Sequence, residues 1–376
     1  MPAGNISKSD KLRVVIAGGG TGGHLYPGLA IAEAIRRRAE KAQIVFMGTP
    51  RGIETRVVPN EGYELVLLPV RGLLRKLTFE NVVFPLRLLW SVIRSVLFLR
   101  RFRPQLIIGT GGYVSGPALI AAKLMGIPAV IQEQNSYPGL VNRWLGRHVT
   151  AVFIAFDNAR RYFPGQEQIF VEGNPVRGVD LQVAKEEAYR HFQLQPDRKT
   201  VLIFGGSQGA RKLNEMVGQM LTNPDFLQNK QILWITGPNW YERWRHFNEN
   251  EGGRIRVLDY CHNMHQAYAI TDLAVCRAGA LTIAELTIWG LPAIYVPFPF
   301  ATADHQTQNA RAVAEAGGGL VIPERELTAE GLAQAIDSLL QDEPRLRSMA
   351  GAARKLGRPE AADRIAQKCL ELIESR

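Results

Sequence analysis

The chain has 376 residues, of which 46% are hydrophobic, so it can bury a sizeable core and is not a disordered protein. At about 150 residues per domain, this length predicts two domains. The three cysteines are too few and too widely spaced for a disulfide framework or a cysteine-based zinc site, which indicates a reduced, cytoplasmic setting.

The net charge of +10 is concentrated in the first half of the chain. Residues 1–165 contain 22 lysines and arginines against 9 acidic residues, whereas the remainder is slightly acidic. A basic half indicates an anionic partner, such as nucleic acid, anionic lipid or a phosphorylated substrate. We expect no nucleic acid partner, because the sequence contains no RNP-type aromatic motif, zinc finger or basic heptad array.

Apolar runs of strand length alternate with helical patterns along the chain. This alternation predicts α/β domains with parallel sheets covered by helices on both faces. No secretory signal is expected, and no stretch of about 18 uncharged apolar residues predicts a transmembrane helix. The predicted strands are residues 12–17, 44–47, 65–68, 106–108, 129–132, 151–155, 200–204, 231–235, 255–258, 272–276 and 293–296.

A glycine-rich loop follows the first predicted strand of each half. Residues 18–23 read Gly-Gly-Gly-Thr-Gly-Gly and residues 205–209 read Gly-Gly-Ser-Gln-Gly, and each loop leads into a helical pattern. The loops start 187 residues apart, about half the chain, which indicates two Rossmann-like domains in tandem with a cleft between them. A cluster of turn-forming residues at 172–175 predicts the boundary.

Each glycine loop exposes backbone N–H groups at a helix N-terminus, where the helix dipole favours an anion. Each loop is therefore either an anion site or a tight turn without a ligand. The first loop matches the dinucleotide fingerprint, but the second strand ends at Gly48-Thr49 without an acid for the ribose, so a dehydrogenase is not indicated. A nucleoside-triphosphatase loop is excluded because His24 and Leu25 stand where lysine and a hydroxyl residue are required.

Two residues that follow predicted strands are candidates for a catalytic or ligand-binding role. His24 lies where the first loop becomes a helix, and it acts either as a general base or as a hydrogen-bond partner of a neighbouring loop. Glu285 lies on the first turns of a helix, and it either accepts hydrogen bonds from a ribose diol or complements the helix dipole. No Asp-x-Asp sequence occurs, so a metal-bridged nucleotide-sugar site is not indicated.

Several motifs occur in one order between residues 12 and 310, and together they are highly specific. They are Gly-Gly-Thr-Gly-Gly-His at 19–24, Gly-Gly-Tyr-Val-Ser-Gly-Pro at 111–117, Glu-Gln-Asn at 133–135, Gly-Asn-Pro-Val-Arg at 173–177, Gly-Gly-Ser-Gln-Gly-Ala at 205–210 and Gly-Ala-Leu-Thr-x-x-Glu at 279–285. In these motifs the chain closely resembles the MurG family of peptidoglycan glycosyltransferases. The resemblance implies the GT-B fold, with an N-terminal domain at 1–174 plus a returning helix at 357–376, and a C-terminal domain at 175–356.

The resemblance also implies a reaction and its setting. It implies an inverting transfer of GlcNAc from UDP-GlcNAc to the 4-hydroxyl of MurNAc in lipid I, giving lipid II and UDP, with no cofactor or metal required. The N-terminal domain is expected to face the acceptor and an anionic membrane surface, at the cytoplasmic face of the plasma (inner) membrane. Other cell-wall synthesis and division proteins are expected there as partners.

The family's functional residues map onto this sequence motif by motif. His24 is implied as the catalytic base or as the residue that positions the acceptor hydroxyl. Glu285 is expected on the ribose diol, Gln306 on the GlcNAc hydroxyls and the backbone at Cys261 on the uracil. The full set implied for UDP-GlcNAc is Thr21, Gly22, Gly23, Asn135, Arg177, Ser207, Gln208, Cys261, Ala280, Leu281, Thr282, Ile283, Ala284, Glu285 and Gln306. The acceptor diphosphate is expected on Gly111, Gly112, Tyr113 and Ser115.

A basic and apolar segment at 71–104 contains eight lysines and arginines but one acid. We interpret residues 73–84 as a membrane-facing patch, because cations beside apolar side chains favour an anionic lipid surface. Residues 86–99 are predicted to form a mostly buried helix, with Leu86, Leu89, Ile93 and Val96 at core spacing and Arg87, Ser91 and Arg94 outward. The residues of the predicted patch are Leu73, Leu74, Arg75, Lys76, Leu77, Phe79 and Phe84.

Three other interpretations are compatible with two glycine loops on parallel sheets. Two are enzymes: another GT-B transferase with a lipid acceptor, and a UDP-GlcNAc 2-epimerase. The ordered motifs argue against both. The third is a catalytically silent scaffold that binds a nucleotide sugar, and the intact His24, Glu285 and glycine loops argue against it.

Overall fold

The computed structural model describes residues 12–70, 72, 79–249 and 252–375. The chain divides into two compact units. The N-terminal unit contains the described residues up to Arg177 and those from Arg358 onward, and the C-terminal unit is Gly178–Gly357. The expected boundaries, 174/175 and 356/357, lie three residues and one residue away from these divisions.

Each unit is built on a parallel sheet, as the alternating pattern predicts. The N-terminal sheet has the order β3-β2-β1-β4-β5-β6-β7 and the C-terminal sheet the order β10-β9-β8-β11-β12-β13. The strands are β1 (Arg13–Gly18), β2 (Gln43–Gly48), β3 (Glu64–Leu67), β4 (Leu106–Gly111), β5 (Ala129–Glu133), β6 (Ala151–Ile154), β7 (Ile169–Val171), β8 (Lys199–Phe204), β9 (Lys230–Ile235), β10 (Ile255–Leu258), β11 (Leu273–Cys276), β12 (Ala293–Tyr295) and β13 (Gly319–Val321).

Helices connect these strands in both units. They are α1 (Gly22–Arg38), α2 (Glu54–Asn60), α3 (Phe79–Phe102), α4 (Ser115–Met125), α5 (Leu140–Leu145), α6 (Lys185–Phe192), α7 (Arg211–Met220), α8 (Tyr241–Trp244), α9 (Met264–Ala269), α10 (Ala280–Trp289), α11 (His305–Glu315), α12 (Ala329–Gln341), α13 (Glu343–Leu356) and α14 (Ala361–Glu374). Short 3-10 helices occur at Gly146–His148, Asp157–Tyr162, Pro224–Leu227, Arg245–Glu249, Thr302–Asp304 and Glu324–Glu326.

The eleven predicted strands are confirmed, and the sequence patterns missed β7 and β13. Both missed strands have three residues and lie at a sheet edge, so they are too short for a recognisable pattern. Chain order reverses between β1 and β4 in one sheet and between β8 and β11 in the other. The glycine loops follow β1 and β8, so each lies at the topological switch point where doubly wound sheets bind ligands.

The burial predicted for α3 is confirmed at Val96, which packs against the core, and at Arg94, which is exposed, but it is wrong at four other positions. Leu86, Leu89 and Ile93 are 67%, 57% and 40% exposed, whereas Ser91 and Ser95 are fully buried. The reason is that small serines let α3 pack closely against α4, and the Ser95 hydroxyl donates to the Ser91 carbonyl, which removes the cost of burying it. An apolar face of α3 is therefore left exposed, formed by Leu86, Leu89, Trp90, Ile93 and Leu97. We call it the α3 apolar face.

The segment predicted to contact a membrane is only partly described. Leu73, Leu74, Arg75, Lys76 and Leu77 lie outside the described residues, Phe79 begins α3, and Phe84 is partly buried against the core. In the described part of the chain, no helix is both long and apolar enough to cross a membrane.

The C-terminal helix α14 completes the core of the N-terminal unit by packing against α1. Ile365, Ala366 and Cys369 of α14 are fully buried in the same apolar cluster as Leu29 of α1 and Val14 of β1. The N-terminal unit therefore depends on residues from the far end of the chain.

We predict that Ile365→Ala lowers the free energy of unfolding by about 2–5 kcal/mol, because it leaves a cavity in this cluster. The matched substitution Gln367→Ala removes an exposed side chain on the same helix and should change it by about 0.5 kcal/mol or less. Urea denaturation followed by circular dichroism measures both. Equal effects of the two substitutions would contradict the role given to α14.

Candidate active site

The first glycine loop presents backbone donors at the start of α1. Thr21 occupies the N-cap position, but its side chain makes no capping hydrogen bond, and no acidic residue lies in the first turn of α1. The N–H groups of Gly22 and Gly23 therefore have no acceptor within the helix. Thr21 and Gly23 are exposed and Gly22 is partly exposed, so the N–H groups of Gly22 and Gly23 can bind an anion from the solvent side.

A buried carboxylate holds the first glycine loop in place. Glu54, the first residue of α2, is fully buried and accepts hydrogen bonds from the Gly20 N–H (2.9 Å), the Thr49 N–H (2.8 Å) and the Thr49 hydroxyl (2.8 Å). A Cβ at Gly52 would lie 2.0 Å from its Oε2, so the backbone closes tightly around the carboxylate. Sequence reasoning missed Glu54, because nothing in its local pattern distinguishes it from an exposed first-turn glutamate.

His24 lies against the loop that follows β4. A Cβ at Gly111 would lie 2.7 Å from the His24 Nδ1, so a glycine is required beside the ring. The Thr110 hydroxyl donates to the His24 carbonyl oxygen at 2.8 Å. The His24 Nδ1 lies 2.9 Å from Oε1 of the buried Gln134, and the imidazole is partly exposed. The hydrogen bond to a neighbouring loop, one of the two interpretations of His24, is thus present and leaves the second ring nitrogen available.

Asn135 is positioned by the buried carboxylate that ends β5. Both its backbone N–H (2.9 Å) and its side-chain amide (3.2 Å) donate to Oε1 of Glu133. The second oxygen of Glu133 accepts from the Gly139 N–H at 3.0 Å and from the Asn142 amide at 2.8 Å. Because its carboxylate accepts four hydrogen bonds, Glu133 organises the loop that presents Asn135, which is itself partly exposed.

The predicted acceptor loop after β4 contains two left-handed glycines. Gly111 and Gly112 have φ of +105° and +77°, and a Cβ at Gly112 would lie 2.6 Å from the carbonyl oxygen of Gly19. Tyr113 is 40% exposed beside them. Ser115 is fully buried and its hydroxyl donates to the Gly112 carbonyl at 2.9 Å, so it shapes this loop from within.

Arg177 is engaged by carboxylates of the N-terminal unit. Its guanidinium donates to Glu33 at 2.8 Å through Nε and to both oxygens of Glu61 at 3.0 and 2.7 Å. The hydrogen bond to Glu61 is the largest cause that raises the pKa of Arg177, and the same bond lowers the pKa of Glu61. The structure thus gives the Arg177 side chain two carboxylate partners within the N-terminal unit, in addition to the UDP-GlcNAc that the motif implies.

The C-terminal unit contains a cavity of about 410 Å³ beside the second glycine loop. It combines loop amides, cations and aromatic side chains at the switch point of the sheet. Thr282 and Gln306, which the sequence predicted to bind UDP-GlcNAc, line this cavity together with residues that were not predicted, such as Arg277. Its lining is Gly205, Gly206, Gly209, Ala210, Arg211, Lys212, Arg277, Gly279, Thr282, Phe298, Phe300, Gln306 and Glu324.

Gln306 has its amide oriented by the cavity wall. Its Oε1 accepts a hydrogen bond from the Phe298 N–H at 2.9 Å, so the NH₂ group remains as a donor for a ligand. Arg277 supports the same wall, because its Nη1 donates to the carbonyl oxygens of Val296 (3.1 Å) and Pro297 (3.2 Å). Sequence reasoning missed Arg277, although a charged residue directly after the buried strand β11 was a usable signal.

Glu285 lies on α10 three residues after Thr282, and therefore on the same helix face. The Tyr268 hydroxyl donates to its Oε2 at 2.6 Å, which leaves Oε1 for another donor. Burial raises the pKa of Glu285, while the hydrogen bond from Tyr268 opposes that shift. A pair of vicinal hydroxyls is a suitable ligand, because it supplies the donors that the carboxylate still lacks.

The remaining residues predicted to bind UDP-GlcNAc are distributed over two loops and α10. Ser207 and Gln208 are exposed in the second glycine loop, and Cys261 is buried between β10 and α9, where burial raises the pKa of its thiol. Ile283 faces the core. The partly exposed residues of α10 in this set are Ala280, Leu281, Thr282 and Ala284.

We predict that Glu54→Gln lowers the free energy of unfolding by about 1–3 kcal/mol, because the amide NH₂ cannot accept the hydrogen bonds that the carboxylate accepts. Thr55→Ala, the adjacent substitution at an exposed hydroxyl, should cost about 0.5 kcal/mol or less. Urea denaturation of both variants tests this. If Glu54→Gln were as stable as Thr55→Ala, the carboxylate would not be what holds the loop.

Comparison with protein families and curated relatives gives a consistent result. The N-terminal domain model of glycosyltransferase family 28 matches residues 14–154, and the C-terminal domain model matches residues 200–365. The UDP-N-acetylglucosamine--N-acetylmuramyl-(pentapeptide) pyrophosphoryl-undecaprenol N-acetylglucosamine transferase of Desulforamulus reducens is 42% identical over 97% of this chain and 100% of its own. The Myxococcus xanthus protein of the same name is 45% identical over 96% of this chain and 93% of its own.

Solved structures agree with this assignment. The crystal structure of Acinetobacter baumannii MurG is 30% identical, covers 96% of this chain and 100% of that chain, and superposes with a TM-score of 0.77. A UDP-GlcNAc 2-epimerase from Neisseria meningitidis is 14% identical, covers 96% of this chain and 100% of its own, and has a TM-score of 0.63; that likeness concerns the fold alone. The chain therefore belongs to glycosyltransferase family 28, with the GT-B fold, and within it to the MurG family of N-acetylglucosaminyltransferases.

Proposed function

We propose that this protein transfers GlcNAc from UDP-GlcNAc to the 4-hydroxyl of MurNAc in lipid I, with inversion at the anomeric carbon, giving lipid II and UDP. The observation that carries the proposal is the cavity at the switch point of the C-terminal sheet, in a chain whose near-full-length relatives are named for this reaction. Its volume of about 410 Å³ lies in the range of sites that hold small molecules.

Most of the proposed contacts to the donor lie in the C-terminal unit. The glycine-loop amides and the Arg211 and Lys212 side chains at the start of α7 provide positive charge for a diphosphate. The free NH₂ group of Gln306 is a donor for sugar hydroxyls, and the unpaired oxygen of Glu285 is an acceptor for a ribose diol.

The acceptor is proposed to bind in the N-terminal unit, with its diphosphate on the amides of the Gly111–Gly112 turn. The amides of Gly22 and Gly23, beside Thr21, are proposed for UDP-GlcNAc, as the family motif implies. His24 is proposed to remove the proton of the attacking hydroxyl. As the new bond to the anomeric carbon forms, the bond from that carbon to the UDP oxygen breaks, and UDP leaves with the electron pair. No metal is required in this proposal, because amides, helix N-termini and cations stabilise the leaving diphosphate.

The α3 apolar face is proposed to contact the cytoplasmic side of the plasma (inner) membrane, which carries the lipid acceptor. Five large apolar side chains are exposed on one side of this helix, and exposed arginines such as Arg94, Arg100 and Arg101 accompany them. Apolar burial and attraction of each cation to anionic lipid, about 1 kcal/mol per residue, act together at such a surface. The expected cell-wall synthesis and division proteins remain proposed partners at the same membrane.

We predict that His24→Ala lowers kcat for acceptor-dependent UDP release by about 10²- to 10⁴-fold, because a positioned general base is lost. The Kd for UDP-GlcNAc should stay the same, since His24 is proposed to act on the acceptor hydroxyl and not to bind the donor. His148→Ala removes an exposed histidine of the same unit and should leave kcat unchanged. A fall of less than tenfold in His24→Ala would reject an essential base. UDP-GlcNAc binding without any acceptor-dependent release in the unmodified protein would instead indicate a silent scaffold.

The membrane proposal predicts that the double substitution Leu89→Asp and Ile93→Asp weakens binding to phosphatidylglycerol vesicles by about 100-fold, because two large apolar side chains no longer enter the lipid. Leu181→Asp, at a half-exposed leucine of the C-terminal unit, is the matched control and should bind normally. Vesicle co-sedimentation measures both. Equal binding by the double variant and the control would place the membrane contact elsewhere.

A further inference from the structure

The side chain of Gln134 has one orientation that satisfies its surroundings. Its Nε2 lies 2.8 Å from the carbonyl oxygen of Thr110 and 3.0 Å from that of Gln132, and a backbone carbonyl can only accept. The NH₂ group must therefore face these two oxygens. The opposite atom, Oε1, consequently faces the His24 Nδ1 at 2.9 Å.

Two more buried amides support this orientation. The Asn174 Nδ2 donates to the backbone carbonyl of Gln134 at 3.0 Å, which fixes the Asn174 amide. Its Oδ1 then accepts from the Gln132 Nε2 at 3.2 Å, so the Gln132 Oε1 is left to accept from the Gln134 Nε2. All three side chains are at least 96% buried, so water does not compete for these groups.

We propose that Gln134 is a positioning residue that holds neutral His24 as the Nδ1–H tautomer and so makes Nε2 its proton-accepting atom. An amide oxygen can only accept, and the histidine nitrogen beside it must therefore carry the hydrogen. The inference rests on the proposed function in one respect, which is that Nε2 accepts a proton from the substrate hydroxyl. The tautomer itself follows from the hydrogen-bond geometry.

The proton balance of the transfer step is consistent with this assignment. The Nε2 lone pair takes the proton of the acceptor hydroxyl while that oxygen bonds to the anomeric carbon and UDP departs with the electron pair. His24 then carries a proton on each ring nitrogen, and its Nδ1–H remains bonded to Gln134. A histidine held as the Nε2–H tautomer has no lone pair at that position and cannot perform this step.

The tautomer can be read directly by ¹⁵N NMR. We expect long-range ¹⁵N–¹H correlation spectra of the ¹⁵N-histidine-labelled full chain, recorded at about pH 9 where ordinary histidines are neutral, to show the His24 Nδ1 protonated and Nε2 unprotonated. The His24→Ala variant assigns the signals. Observation of the Nε2–H tautomer would overturn the proposal.

Substitutions at Gln134 test whether it is the cause. Gln134→Met removes the acceptor at similar length, and we expect loss of the pure Nδ1–H signal and at least a tenfold fall in kcat without a change in the KM for UDP-GlcNAc. Gln134→Glu keeps an acceptor oxygen towards His24, and its second oxygen, when protonated, can donate to the Thr110 carbonyl as the amide does. This variant should retain the Nδ1–H tautomer and recover more activity than Gln134→Met. Gln231→Met, at a buried glutamine hydrogen-bonded in the other unit, is the matched control and should leave the His24 signals unchanged.

The outcomes separate this inference from the proposed function. An Nδ1–H signal that disappears in Gln134→Met supports the inference even in a protein that transfers no GlcNAc, and the missing transfer then counts against the proposed function alone. A transferase that keeps the Nδ1–H tautomer or full kcat in Gln134→Met would overturn the inference and leave the proposed function standing.

Discussion

Buried hydrogen-bond donors need acceptors, and this constraint determines how the N-terminal unit holds its site. The loops after β1, β4 and β5 meet at a switch point, where strands end and their backbone groups lose their sheet partners. Glu54 supplies a buried carboxylate for the loop after β1, and Glu133 supplies one for the loop after β5. Gln134, in the loop after β5, is hydrogen-bonded to Thr110 at the end of β4 and to His24 after β1. The exposed glycine amides and the imidazole can bind ligands because polar groups behind them are already satisfied.

The sequence predicted the parts of this molecule that depend on local pattern. Strand-length apolar runs located eleven strands, and the loops at 18–23 and 205–209 marked both switch points, because only glycine allows backbone to approach so closely there. The ordered motifs then identified the family, which the relatives confirm. The roles of the individual site residues remain proposals, although the structure places His24, Asn135 and Gln306 where hydrogen bonds fix their side chains.

Features that depend on tertiary packing were not predictable. Core spacing along α3 suggested that Leu86, Leu89 and Ile93 are buried, but these three side chains are exposed and Ser91 and Ser95 occupy the buried side of the helix. Arg277 and Glu324 form a partly buried ion pair in the cavity wall from positions 47 residues apart, a separation at which no motif connects them. Glu54 likewise acts on glycines 34 residues earlier in the chain. In each case the residues in contact are distant in sequence and are brought together by the folded domain, so the neighbouring sequence does not indicate the contact.

We propose above that this chain joins GlcNAc to an acceptor hydroxyl by inverting displacement of UDP. NMR analysis of the product formed from UDP-GlcNAc and a lipid I analogue, with UDP quantified in the same reaction, tests this reaction directly. We expect a disaccharide with GlcNAc β-linked to the 4-hydroxyl of MurNAc and one UDP released for each linkage. An α-linked product, or free GlcNAc with UDP and no disaccharide, would contradict it.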